Sequence, residues 1–133
     1  MKTLLVAALL LSPVLAHAQT KESIYVDCDA ASGDDIGQAL CSSVRDVITK
    51  SPRYALLPFP GKEYHYVIDI VSEGDPRGAS AASVVFGVVF VGGGEVHLLG
   101  HAGIFTGRDK VSAQAARLLV NLDSLIASIL KKP

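Results

Sequence analysis

Absences narrow the field before any motif does. Charge is sparse and interspersed: 12 Lys and Arg and 13 Asp and Glu among 133 residues give a formal net charge of −1. With no basic block to follow a phosphate backbone, nucleic acid is excluded as an expected partner. No Lys/Arg-rich amphipathic stretch offers an anionic lipid surface a docking face. Only two cysteines occur, Cys28 and Cys41, and their spacing is not C-x-x-C. Two thiolates without adjacent histidines do not complete a zinc site. A G-x-S-x-G nucleophile elbow is missing, and Gly92-Gly93-Gly94 lacks the Lys-Ser/Thr and the following helix that a phosphate loop requires. There is no internal repeat, linker or low-complexity tract.

What is present begins with an address. Lys2, an apolar run from Leu4 to Ala16, and Ala16-His17-Ala18 before Gln19 supply the charged start, greasy core and small-x-small exit of a secretory signal peptide. The run is too short to span a bilayer comfortably. Residues 1–18 are therefore expected to be cleaved, leaving 19–133 as one domain of about 115 residues, enough for a single core. Part of the 50% apolar content belongs to that leader. A lipid anchor needs cysteine at the cleavage point, where Gln19 stands, so a periplasmic or secreted soluble product is expected, with no membrane span after cleavage. In such an oxidising space a Cys28–Cys41 disulfide is the leading reading. The alternatives are two small buried residues that never meet, or a redox or metal role.

Periodicity supplies the elements. Ile24 to Cys28 alternates as a strand, and Asp29 to Asp35 offers turn and cap chemistry, with Ser32 and Asp35 as a capping pair. Ile36, Leu40, Val44, Val47 and Ile48 recur at helical spacing up to Pro52. A strand entering this helix through a short loop packs antiparallel to it, which lets Cys28 and Cys41 face each other. Arg53 to Leu57 has the composition of a short edge interrupted by Pro58, Pro60 and Gly61. Tyr64 to Val71 alternates strongly, Ser72 to Ser80 reads as a surface loop, and Val84 to Val91 reads as a central strand with a bulge at Gly87. Glu95 to Phe105 completes a hairpin, and a helix of about 22 residues closes the chain, its stripe running from Val111 to Leu130 with Lys131 and Lys132 at its negative end. The expected fold is α+β: a two-layer sandwich in the order β-α-β-β-β-α, with a mostly antiparallel sheet of about four strands and two helices on one face.

Chemistry finds few footholds in this frame. His97 and His101 lie about 13 Å apart along one strand and cannot share a metal ion. His65 or Asp69 could meet one of them only by cross-strand pairing. Ser80, Ser83 and Ser112 read as turn or helix-start residues, and the pairs Asp34/Asp35 and Glu73/Asp75 as solvated loop acids. Two features suit an interaction surface better. The face opposite the helices is expected to carry Tyr25, His65, Val67, Val71, His97, Leu99, His101 and Phe105, and an unprotected edge is expected near Arg53 to Leu57.

Asp35-Ile36-Gly37 opening a helix, that helix ending in Ser51-Pro52-Arg53-Tyr54-Ala55-Leu56, the central strands and hairpin, and the closing Ala-rich amphipathic helix together resemble the amino-terminal domain of the Tol-system protein TolB. A similar layout occurs in the curli secretion protein CsgG and in lipoprotein activators of penicillin-binding proteins. The resemblance covers most of the chain after residue 18. It implies a periplasmic protein-interaction module without catalytic residues, and it transfers no binding residue. The expectation is thus an exported, non-enzymatic domain without cofactor or metal, binding an envelope protein or itself. The alternative is a small-ligand or metal-binding protein that uses the histidine-bearing face.

Overall fold

The computed structural model describes residues 20–92 and 95–131. The expected signal peptide at 1–18, Gly93 and Gly94 of the glycine turn, and Lys132 lie outside the described residues. The elements are β1 (Glu22–Ala30), α1 (Asp35–Lys50), β2 (Tyr54–Leu57), β3 (His65–Asp75), β4 (Ala79–Val89), β5 (Val96–Gly107), a 3₁₀ turn (Arg108–Lys110) and α2 (Val111–Leu130).

The five strands form one sheet in the order β2-β1-β3-β4-β5. In place of the expected four mostly antiparallel strands, the sheet is mixed: β1 pairs in parallel with both β2 and β3, while β3, β4 and β5 are antiparallel. The difference originates in Tyr54–Leu57, too short and too close to prolines to count as a strand on periodicity. Once it pairs, β1-α1-β2 becomes a crossover unit, and a helical crossover returns the chain parallel. The chain then passes β1 again through residues 58–64 and enters β3 on the other side.

A second correction concerns residues 72–80. The stretch expected to be a loop is mostly ladder, with Ser72↔Ala82 and Asp75↔Ala79 still in register and Gly78 (φ 82°) in the tight connection. Serine and glycine hide a strand from hydrophobic patterning because here the buried side chains, Ser72 and Ser80, lie beside Asp34 in place of apolar partners. Gly78 donates its N–H to Asp75 O at 3.0 Å.

Both helices cover the same face. Ile24 and Val26 of β1, Ile68 and Ile70 of β3, and Val84 and Phe86 of β4 share one buried cluster with Leu40, Val44 and Ile48 of α1 and Leu118, Leu122 and Ile126 of α2. Each such side chain contributes about 1.5–3 kcal/mol of burial. By length and composition Arg108–Leu130 could cross a membrane; here its stripe of Val111, Ala115, Leu118, Leu122 and Ile126 is buried in this core. Helix α1 stops at Ser51, whose extended ψ of 135° suits the following Pro52.

Cys28 and Cys41 are joined in a disulfide, with a Cα–Cα distance of 6.2 Å. The bridge ties β1 to the second turn of α1, as the strand-helix packing argument requires. Replacing both cysteines by alanine is expected to lower the unfolding free energy by about 3 kcal/mol in urea denaturation. Thiol titration of the exported native chain should find neither cysteine free.

Candidate functional site

The helix-free face of the sheet is built by alternation along four strands. Register aligns Tyr25, Val67, Gly87 and Leu98 in one row and Asp27, Asp69, Val85 and His101 in the next. His65, Val71 and Phe105 belong to the same face, in rows through Val89, Ser83 and Ala81. His97 and Leu99 do not. A bulge lies between Phe86 and Gly87, where Phe86 pairs with Gly100 but Gly87 pairs with Leu98, so β5 carries one extra residue. The extra residue inverts the alternation before it. His97 therefore aligns with Val88 and lines a cleft with Tyr66 and Ile126 on the helix side. The bulge is legible at Gly87; its effect on His97 is not.

A hollow of about 440 Å³ lies on the helix-free face, lined by Tyr25, Asp27, His65, Val67, Asp69, Val85, Gly87 and Leu98, with Pro60 and Gly61 of the β2–β3 crossover on its rim. The crossover is tied to the β4–β5 turn, Gly92 donating its N–H to Lys62 O at 3.2 Å. Gly87 has no room for a side chain, since a Cβ would collide with Val96. His65, expected on a solvated face, is 1% exposed. Its Nδ1 lies 2.7 Å from Glu63 O; a carbonyl only accepts, so Nδ1 carries a proton, and in the neutral ring Nε2 is the acceptor. Among the described residues that buried Nε2 has no hydrogen-bond partner. Asp27 and Asp69 stand side by side on parallel neighbours. Burial, then the charges of Asp27 and Asp29, push the Asp69 carboxyl above its ordinary range.

The other candidates resolve into structure. Among the described residues no group of three or more His, Cys, Asp or Glu could hold a metal ion. His101 is separated from Asp69 by Val85, and His97 faces the other way. Ser80, expected in a loop, is fully buried in β4 and donates to Asp34 Oδ2 at 2.8 Å. Asp34, not Ser32, caps α1, accepting the Gly37 N–H at 2.8 Å through Oδ1. Burial opposes ionisation of Asp34. The hydrogen bonds from the Gly37 N–H and the Ser80 hydroxyl oppose it, and the carboxyl is held below its usual range. Gly37 is required because Ser72 Oγ and Asp34 Oδ2 occupy the space of a Cβ.

At the β2 edge, Arg53 reaches Asp123 of α2 at 3.1 Å and Glu22 of β1 at 3.3 Å, and the Tyr54 hydroxyl donates to Asp123. Burial and the neighbouring Asp123 push the Tyr54 hydroxyl well above the ordinary tyrosine range. The edge expected to be open is thus four residues long, clamped to α2 and followed by Pro58 and Pro60. The opposite edge, β5, is twelve residues long and contains no Asp, Glu, Lys, Arg or Pro. Beside it, Tyr64, Phe90, His97 and Leu99 with Ile129 and Leu130 line an apolar cleft of about 330 Å³, Phe90 and His97 meeting edge-on at 5.1 Å.

No family model matches the chain, and no curated protein matches its sequence. Solved structures do. The dodecamer of a PelC variant from Paraburkholderia phytofirmans aligns over 81% of this chain and 89% of its own, with a TM-score of 0.50 at 14% identity. The hypothetical protein CT253 from Chlamydia trachomatis aligns over 82% and 96% with a TM-score of 0.42 at 8% identity. Protein XCC0632 from Xanthomonas campestris, of the family DUF330, aligns over 86% and 87% with a TM-score of 0.39 at 13% identity. At such identities the first of these establishes a shared fold and nothing finer.

The Asp34 cluster generates two expectations. Asp34→Ala should cost about 2 kcal/mol, because it removes a cap and strands the Ser80 hydroxyl. Because the folded pKa is lowered, this stabilisation is fully present above the unfolded carboxyl value and is lost as pH falls through the folded one. Acid titration of stability should accordingly be shallower below about pH 4 in Asp34→Asn than in the parent chain.

Proposed function

We propose that the chain is an exported, non-catalytic interaction module of the bacterial cell envelope, binding a partner protein or a second copy of itself. The observation that carries this reading is the β5 edge. Natural edge strands are kept short or are guarded by charge, proline or a covering element. Here β5 has twelve residues and none of those charges or prolines. It also bears Leu98 and Phe105 at 67% and 63% exposure on the helix-free face. Unpaired backbone groups flanked by exposed apolar side chains suit strand addition, in which the main chain gives affinity and side-chain pockets give selectivity.

The Cys28–Cys41 bridge supports an extracytoplasmic setting, periplasmic or secreted, since such bonds persist in oxidising compartments. Self-association is supported by the shared fold of PelC, which forms a dodecamer. The resemblance to the TolB amino-terminal domain and to CsgG adds the envelope partner to the same reading. A non-enzymatic role is supported by the serines: Ser80, the most buried of those weighed, is consumed by the Asp34 cap.

The test is the mass of the exported chain by light scattering over rising concentration. The parent is expected to associate through β5. A Leu98→Lys/Phe105→Lys double variant should remain monomeric with an unchanged thermal melt, because both side chains are exposed. A parent that stays monomeric, and that retains no envelope protein in a pull-down differently from the double variant, would remove the reading.

A further inference from the structure

The hollow under the crossover combines three features. At one end Asp27 and Asp69 stand adjacent on parallel strands, with Asp29 two residues further along β1. Like charges side by side are destabilising, and among the described residues neither Asp27 nor Asp69 belongs to an ion pair. At the other end His65 is 1% exposed with its Nε2 unpartnered. An orphaned buried acceptor is destabilising. Between them, Val67, Val85 and Leu98 leave an apolar floor, with Val96 packed over Gly87. His65 and Asp69 are four residues apart on β3, about 13 Å along the strand.

Each end asks for the same chemistry. Carboxylates accept only, and with Nδ1–H committed to Glu63 O the Nε2 of His65 also accepts. The occupant must therefore carry a hydrogen-bond donor at both ends, a positive charge at the Asp27/Asp69 end, and an apolar stem between. We infer that this hollow is a binding site for linear diamines and polyamines, one ammonium held by Asp27 and Asp69 and the second nitrogen donating to His65 Nε2. The methylene chain lies over Val67 and Leu98 beneath Pro60. A volume of about 440 Å³ falls within the usual range for small-molecule sites. A metal ion does not satisfy the same geometry, because the carboxylates and the imidazole are too far apart to share one.

Calorimetric titration of the exported chain with cadaverine, spermidine and pentylamine at physiological ionic strength tests this. Saturable binding of one diamine per chain is expected, about tenfold tighter than pentylamine, because only the diamine satisfies both ends. Asp69→Asn, at a half-buried position, should weaken cadaverine about tenfold. His65→Phe should reduce the diamine preference to parity with pentylamine. Should that buried variant fail to fold, the cadaverine-to-pentylamine ratio in the parent chain carries the His65 argument by itself. Equal affinity for monoamine and diamine, no saturation at physiological salt, or indifference to Asp69→Asn would each overturn the assignment.

Discussion

One buried carboxylate fixes how the two layers meet. Asp34 lies at the mouth of α1, takes the Gly37 N–H with one oxygen and the Ser80 hydroxyl with the other, and is 3% exposed. An ionised acid is tolerated there only because donors converge on it from the helix and from β4. Close approach is the condition, and Gly37 meets it by having no side chain. The loop before it is held too, since Ala31 donates its N–H to Ser72 O at 2.9 Å. With α1 anchored at this point and bridged to β1 by Cys28–Cys41 one turn later, its apolar stripe falls on Ile24, Ile68 and Val84. The opposite face of the sheet is left for the crossover and the hollow.

A second anchor acts at the other end of α1. Arg53 and Tyr54 converge on Asp123, so the short β2 edge and the middle of α2 are held by one acid. Arg53 also stacks over the Tyr54 ring at 5.1 Å, a contact that favours the cation where it is partly desolvated. Among the described residues, one edge of the sheet is thus closed by ion pairs, while β5 pairs with no strand on its outer side.

Legibility follows periodicity. Helix α1 and the core strands are readable because Ile36, Leu40, Val44 and Ile48, or Tyr66, Ile68 and Ile70, repeat at periods that only one conformation buries. The disulfide is readable because a short strand-to-helix turn forces antiparallel packing. Strand β2 is not, since four residues carry too little pattern, and the mixed sheet is lost with it. Ser72 to Ser80 imitates a loop because its polar residues serve the Asp34 cap and the ladder. The candidate surface is largely legible: Tyr25, His65, His101 and Phe105 sit on the helix-free face, whereas His97 is turned away by the bulge. The hollow is invisible to sequence because Asp27, His65 and Asp69 meet only through the parallel pairing of β1 and β3.

The surplus residue in β5 has a consequence for how this surface can change. Val96 and Leu98 serve the hollow, while His97 and Leu99 serve the cleft beside α2. That partition is set by chain length between Glu95 and Gly100, not by side-chain identity. Deleting a single residue there would restore regular alternation and exchange the two sets of walls, His97 and Leu99 leaving the side chains of α2 that they now meet. Both concave surfaces are therefore open to revision by one insertion or deletion, a route that substitution alone would need several steps to follow.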